Sequence, residues 1–392
     1  MASLSDYLTW RGDITFDQVP LTTVDALLLS QLSYLDLRKI IGEKERKQEC
    51  TLSQAAEQYW KLHTEEELEN YVSFALRTAG VLLREMAATK RFGDLLLRNY
   101  VRRIDVDVQE QFAALEIVLG KKESFVSFSG TDDHLVGWKE DFNMCFLSPI
   151  PSQTDALAYL QEVLQGSTRK VYVGGHSKGG NLSVYASVKC KRTLRKYILR
   201  VYNFDGPGFE KPFMESERYQ EMKELIETWV PESSIVGMIL EPDEAYQVVK
   251  STQSGFMQHD ATSWEVLGSE FISVPEVKKS SKRMAVGLKE WMSGLRKDEL
   301  EFFFDKMYEV LESTEAKTLA DLNKDRWKSI TTIVRSYSNM EKKAKDMMLA
   351  FVKAIVTANV KPERPSKGQG KPELPKKSVL TAFYHAIVFF MF

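Results

Sequence analysis

Val171-Tyr-Val-Gly-Gly-His-Ser-Lys-Gly-Gly-Asn181 is the stretch on which the fold turns. Its first residues alternate Val and Tyr, as a strand does, and its last lead into Leu182 to Val188, which read as a helix. Between them lies Gly175-His176-Ser177-Lys178-Gly179, a G-x-S-x-G match. Strand, sharp turn and helix are the context that gives this motif meaning as a nucleophile elbow. The physics is steric. The turn holds the serine backbone in a strained conformation, and nearly side-chain-free residues at Gly175 and Gly179 let strand and helix approach. Ser177 then stands exposed at the C-terminal edge of a sheet, with a helix N-terminus favouring negative charge beside it.

Outward from the elbow, short apolar runs alternate with helical patterns. Gln111 to Leu119, Glu123 to Phe128, Arg169 to Val173 and Tyr197 to Phe204 read as strands, with Thr228 to Val230 and Tyr246 to Val249 as two more. Thr154 to Leu164 reads as a helix between them. This alternation predicts an α/β fold, a mostly parallel sheet flanked by helices, and the elbow within it makes the α/β-hydrolase type the expected one. Residues before about 105 read as mainly helical, with apolar spacing of three and four over Leu52 to Lys61 and Glu65 to Thr89. After about Pro275 the strands stop. Leu300, Phe303, Phe304, Met307 and Leu311 form an apolar stripe at helical spacing, continued by Trp327, Ile330 and Val334 and by Met347, Phe351 and Ile355. The expected organisation is a hydrolase-like domain over 1–275, a helical extension over 276–360, a linker over 361–377 and an apolar tail over 378–392. The linker holds four Pro and six Lys or Arg, a composition that favours extended chain.

A nucleophilic serine needs a base, and the base needs an orienting acid. Only His259 and His385 follow Ser177, and His385 sits in the tail. His259, in Phe256-Met-Gln-His-Asp260, is therefore the expected general base. His176 is too close along the chain to reach its neighbour's hydroxyl and is expected to pack beneath the turn. Asp205 ends a strand, where catalytic groups gather in open α/β sheets, and is the preferred acid; Glu232 and Asp243 remain the alternatives. The backbone N–H of Lys178 is the first expected oxyanion donor, and Thr131, after Phe128-Ser-Gly130, offers the second.

These residues resemble the class 3 lipase pattern of the α/β-hydrolase superfamily. Val126-Ser-Phe-Ser-Gly-Thr131 is similar to its oxyanion element, Trp138-Lys-Glu-Asp141 to its Trp-x-x-Asp element, and Gly175-His-Ser-Lys-Gly-Gly180 to its nucleophile motif. The opening Asp6-Tyr-Leu-Thr-Trp-Arg-Gly-Asp13, with Phe204-Asp-Gly-Pro-Gly208 and Gln258-His-Asp260, also resembles a lipase-like family of Gram-positive bacterial proteins without assigned substrates. The resemblance implies a serine esterase cleaving a small-molecule or lipid ester through an acyl-enzyme. Two departures stand out. Where the lipases carry an acid after a late strand, this chain has Ser233-Ser-Ile-Val236, and Ser129 replaces a usual Arg. The missing carboxylate motivates a competing expectation, a hydrolase fold kept as a catalytically weak or inactive binding module.

Composition bounds the rest. Lys and Arg number 53 and Asp and Glu 55, a net charge of -2, so the basic excess of a general nucleic-acid binder is missing. Three scattered cysteines, Cys50, Cys145 and Cys190, make no disulfide framework. The N-terminus lacks the charge and apolar run of an export signal, which points to a cytoplasmic protein. No metal or cofactor motif is seen. The uncharged tail, Ser378 to Phe392, is shorter than the roughly 20 residues that span a bilayer. Behind Lys376-Lys377 it has the composition to dip into the inner face of a membrane, against the alternatives of docking on the helical layer or a terminus changed by a reading-frame shift.

Overall fold

Strands covered on both faces lose alternation, and their sequences become largely apolar. Gln-Phe-Ala-Ala-Leu-Glu-Ile-Val over Gln111 to Val118 and Glu-Ser-Phe-Val-Ser-Phe over Glu123–Phe128 have that character. The structure is a computed structural model describing residues 2–42, 48–70, 73–240, 245–324 and 326–359. It divides into two compact units, Met1–Val277 and Lys278–Phe392. The linker, the tail with His385, and Asp243 lie outside the described residues.

The first unit is built on one nine-stranded sheet. In chain order its strands are β1 (Cys50–Thr51), β2 (Leu96–Asp105), β3 (Glu110–Val118), β4 (Glu123–Phe128), β5 (Lys170–His176), β6 (Ile198–Phe204), β7 (Ile226–Pro231) and β8 (Gln247–Val249). A separate hairpin of β9 (Val266–Leu267) and β10 (Glu270–Phe271) follows, and β11 (Ser273–Val274) completes the large sheet beside β8. Five consecutive strands, β4 to β8, run parallel, and the pairings on either side of them are antiparallel. β3 shows how the sheet is sandwiched. Leu115 and Ile117 enter a core with the helices Thr23–Gln31 and Phe74–Ala87, while Phe112 and Ala114 enter a second core with Pro151–Leu164 and Lys178–Lys189. This is an α/β-hydrolase-type arrangement.

The N-terminal region departs from its helical reading at β2. Leu-Leu-Arg-Asn-Tyr-Val-Arg-Arg-Ile-Asp lacks alternation because the register shifts between Arg98 and Val101, where Asn99 adopts φ 55°. The helical pattern over Glu65 to Thr89 is two helices, Glu65–Asn70 and Phe74–Ala87.

A buried ion pair ties this region together. Arg91 Nη2 and Nε donate to Asp25 Oδ2 and Oδ1 at 2.6 and 2.9 Å, and neither side chain touches solvent. Tyr7, from the opening motif, donates to the same carboxylate at 2.7 Å, and Asp6 caps its own helix through the Ser3 amide. Arg91 also reaches the carbonyls of Ile14 and Pro20.

The second unit is helical: Lys279–Ser293, Lys297–Glu312, Leu319–Lys324, Arg326–Asn339 and Lys342–Asn359. Leu300, Phe303, Phe304, Met307 and Leu311 are all buried, and Trp291, Phe303 and Phe351 form an aromatic cluster with centroids 4.8–5.2 Å apart. The stripe does not continue through Trp327, which is 79% exposed; Ile333 is the residue its helix buries.

Removing Arg91 would strand the Asp25 carboxylate without its cation. Arg91→Met is expected to lose about 3–5 kcal/mol of stability, the usual cost of breaking a buried pair from one side. Urea unfolding checks it: the midpoint should fall with the slope unchanged, and a loss near zero would contradict the role given to the pair.

Candidate active site

β5 runs into the helix Lys178–Lys189 through a single residue, Ser177, whose backbone sits at φ 57° and ψ -134°. Such a conformation is costly for a residue with a side chain and persists only where the surroundings hold it. Here the Ser177 amide is held by the Phe204 carbonyl at 2.8 Å, and its carbonyl accepts the Gly180 amide at 2.9 Å. A Cβ on Gly175 would lie 2.3 Å from the backbone of Gly179, and one on Gly179 would lie 2.1 Å from the Phe128 carbonyl oxygen. The glycines are therefore steric requirements of the turn.

The same approach brings the elbow helix beside the loop after β4. The amides of Lys178 and Gly179 open the helix, where N–H groups have no intrahelical acceptor. Thr131 lies in that loop, and its hydroxyl donates to Asp141 Oδ2 at 2.6 Å. The Lys178 side chain runs the other way, into the protein. Its buried ammonium donates to Glu140 Oε2 at 2.8 Å, to the Gln111 carbonyl at 2.9 Å and to Gln111 Oε1 at 3.2 Å. Burial alone would lower its pKa, but Glu140 and Asp141 more than reverse this and the net direction is up. Glu140 in turn accepts from the Gln111 and Ser152 amides and the Ser152 hydroxyl.

β6 is followed by Asp205, again at positive φ (51°), with its amide on the Trp229 carbonyl at 2.8 Å. Asp205 is fully buried, and its Oδ2 lies 2.6 Å from His259 Nδ1. The other oxygen, Oδ1, accepts the Ser234 hydroxyl at 2.5 Å and the Gly237 amide at 3.2 Å. Ser234 belongs to the segment that replaces the lipase acid, so the loop without a carboxylate supplies a hydroxyl that supports one. Glu232 is placed differently: its Oε1 accepts from Gln258 Nε2 at 3.5 Å. Asn181 anchors the Asp205 loop by donating to the carbonyls of Pro207 and Gly208.

His259 closes a short 3-10 turn, Gly255–His259. Its ring lies 4.6 Å from that of His176, and its carbonyl accepts from His176 Nε2 at 2.8 Å. His176 is buried beneath the elbow, as expected. Burial and the neighbouring His259 hold its pKa well below the ordinary value, so it stays neutral. Its Nδ1 meets the Tyr34 hydroxyl at 3.0 Å. Of the other histidines, His134 pairs with Asp132 at 2.8 Å and His63 ends a helix against Tyr59.

Sequence reading missed Tyr34, Ser234 and the inward-facing network of Lys178, Glu140 and Gln111. Nothing in a Leu-Ser-Tyr run marks Tyr34. The Lys178 network had a signal: an ammonium directly after a buried elbow must find a carboxylate.

A serine at strained φ between a parallel strand and a helix, on a sheet covered on both faces, puts the molecule in the α/β-hydrolase fold class. Within that class, the family model described as Mbeg1-like matches residues 86–309, more than half of the length, and the chain belongs to that family. No curated protein matches it. A crystal structure of M37 lipase aligns over 40% of this chain at 17% identity with a TM-score of 0.29, and the chain spans 62% of that protein. Among the described residues no helix is long and apolar enough to cross a membrane, and no group of three or more His, Cys, Asp or Glu is placed to hold a metal ion.

Asp141 gives the site a pH signature. Burial pushes its carboxyl up from 3.8 to about 6, opposed by Lys178 and by the Thr131 hydroxyl. Its Oδ1 has no hydrogen-bond partner and lies 3.9 Å from the Lys178 ammonium. A carboxyl with a raised folded pKa binds more protons folded than unfolded. Its contribution to stability is complete below pH 3.8 and is lost as pH rises through about 6. Relative to Asp141→Asn, the wild type should therefore lose stability between pH 4 and pH 7. Urea midpoints of both proteins at the two pH values check this, and a pH-independent difference would refute it.

Proposed function

We propose that the protein is a serine hydrolase that cleaves an acyl ester, with Ser177 as nucleophile, His259 as general base and Asp205 as the orienting acid. The observation that carries this reading is the 2.6 Å hydrogen bond between Asp205 Oδ2 and His259 Nδ1, in a loop packed against the residue preceding the strained serine. A carboxylate on Nδ1 fixes the tautomer that leaves Nε2 free to accept a proton. It also favours the catalytic reading over the scaffold alternative, which the missing lipase-position carboxylate had motivated.

The chemistry runs as acyl transfer. Ser177 Oγ attacks the ester carbonyl while His259 Nε2 takes its proton. The carbonyl oxygen becomes an oxyanion, met by the Lys178 amide and by Thr131, with the helix N-terminus adding a favourable field. Collapse breaks the bond to the alkoxy group, which leaves as an alcohol with the proton from His259. Water then adds to the acyl-serine by the same route, releasing a carboxylic acid and the free hydroxyl. Resemblance to the class 3 lipase pattern in Thr131, Asp141 and Ser177 supports an acyl or lipid-like ester as substrate.

A fluorophosphonate probe should label the wild type and not Ser177→Ala. On p-nitrophenyl esters of graded chain length, Ser177→Ala and His259→Ala should each lose roughly 10⁴-fold or more in kcat, and Asp205→Asn about 10²–10⁴-fold. Equal labelling of wild type and Ser177→Ala, or none in either, would remove the reading.

A further inference from the structure

Three loops must hold still together in a hydrolase of this kind: the elbow, the oxyanion loop and the loop with the base. One buried hydroxyl touches the first two and reaches the third through the His176 ring. Tyr34 comes from a 3-10 turn, Leu32–Tyr34, that lies before the family-matched residues 86–309 and 142 positions from His176. Its hydroxyl oxygen is 3.0 Å from His176 Nδ1 and 3.2 Å from the His176 carbonyl, and it accepts the Gly130 amide. Close approach leaves no room at Gly130, where a Cβ would lie 2.1 Å from the Tyr34 oxygen and 2.6 Å from the His176 carbonyl.

The proton positions follow from chemistry. The His259 carbonyl can only accept, so the hydrogen between it and His176 is on His176 Nε2. The neutral ring then has a bare Nδ1, which accepts from Tyr34. Burial, with Asp141 and Asp132 nearby, holds the phenol pKa well above its ordinary value, so Tyr34 keeps its proton and remains the donor. The run of hydrogen bonds is directional: Gly130 N–H to Tyr34 oxygen, Tyr34 O–H to His176 Nδ1, His176 Nε2–H to the His259 carbonyl. Both side chains are buried, so water does not compete for these bonds.

We infer that Tyr34 and His176 are positioning residues of the active site, a relay that ties the oxyanion loop and the elbow to the backbone of His259 and so sets where its imidazole stands. This rests on the serine-hydrolase reading for its catalytic consequence. Neither residue touches the reacting atoms. Their contribution is to keep the base at reacting distance, where a displacement of about 1 Å costs on the order of 10²-fold in rate. Around the His259 ring stand Asp205 on Nδ1, the His176 ring and the Phe256 ring, and the Asp141 carboxylate interacts with it electrostatically.

The test uses the full-length protein with Tyr34→Phe, which removes the hydroxyl alone, His176→Leu, which removes the donor to His259, and His176→Gln, whose amide nitrogen can stand where Nε2 stands. Two readouts are taken on each: kcat and KM for a p-nitrophenyl ester, and the downfield imidazole proton of the Asp205–His259 hydrogen bond by NMR. Tyr34→Phe and His176→Leu should lower kcat by roughly 10–10²-fold with little change in KM. The downfield proton should broaden or disappear in both. His176→Gln should recover most of the rate and the resonance. A kcat and a resonance in Tyr34→Phe or His176→Leu equal to the wild type would overturn the inference, and so would a His176→Gln protein that folds but behaves as His176→Leu does. If His176→Leu does not fold, Tyr34→Phe and His176→Gln decide it. If the wild type neither turns over esters nor takes the fluorophosphonate label, the hydrolase reading fails, while the NMR comparison still decides whether the relay positions His259.

Discussion

The whole arrangement depends on one contact that contains no side chain, the approach of the elbow helix to the end of β4. Gly179 rests against the carbonyl of Phe128 with no space for a methyl group, and Gly175 rests on Gly179 from the other side. That closeness puts the first amides of the helix beside Gly130 and Thr131, and it forces Ser177 into a backbone conformation that other residues must maintain. The cost of a strained non-glycine residue is of order 1–3 kcal/mol. It is met here by backbone bonds from β6 and by two packed cores on either face of the sheet.

The contact also decides where charge can sit. Lys178 has its backbone at the helix mouth and its side chain turned inward. Its ammonium is therefore enclosed, and a pocket of acceptors from β3 and the Leu135–Asn143 helix surrounds it. An enclosed ion pair is seldom a net source of stability. It does fix geometry, since Glu140 is bonded at the same time to β3 and to the start of the helix Pro151–Leu164. Elements far apart in sequence are thus held in register around the loop after β4.

Much of this was readable from the residues alone, and the limits are physical. Strong local signals were reliable: the Val-Tyr-Val strand before the elbow, the Gly-x-Ser-x-Gly turn, the apolar runs of β3 and β4. The pairing of Asp205 with His259 was legible because strand ends in an open α/β sheet converge on one edge. β2 was not, since its bulge at Asn99 and its three arginines erase the period of two; Arg102 in fact lies buried against Asp132. Trp327 misled for the opposite reason. A large apolar residue at helical spacing is a core signal only when another surface meets it, and here that face stays exposed. Tyr34 is a tertiary fact throughout: its hydroxyl meets His176, 142 residues away, and no local pattern encodes that contact.

The support that Ser234 gives to Asp205 bears on how relatedness is judged. The ends of two adjacent strands, β6 and β7, meet at the carboxylate that faces the imidazole. One contributes the carboxylate and the other a hydroxyl that braces it. What an imidazole Nδ1–H needs is an acceptor at a point in space, whichever chain position supplies it. A comparison keyed to the column after β7 finds serine there and sets such chains aside as degenerate. Chains of this kind are better sorted by which oxygen atoms surround the histidine than by which column carries the aspartate.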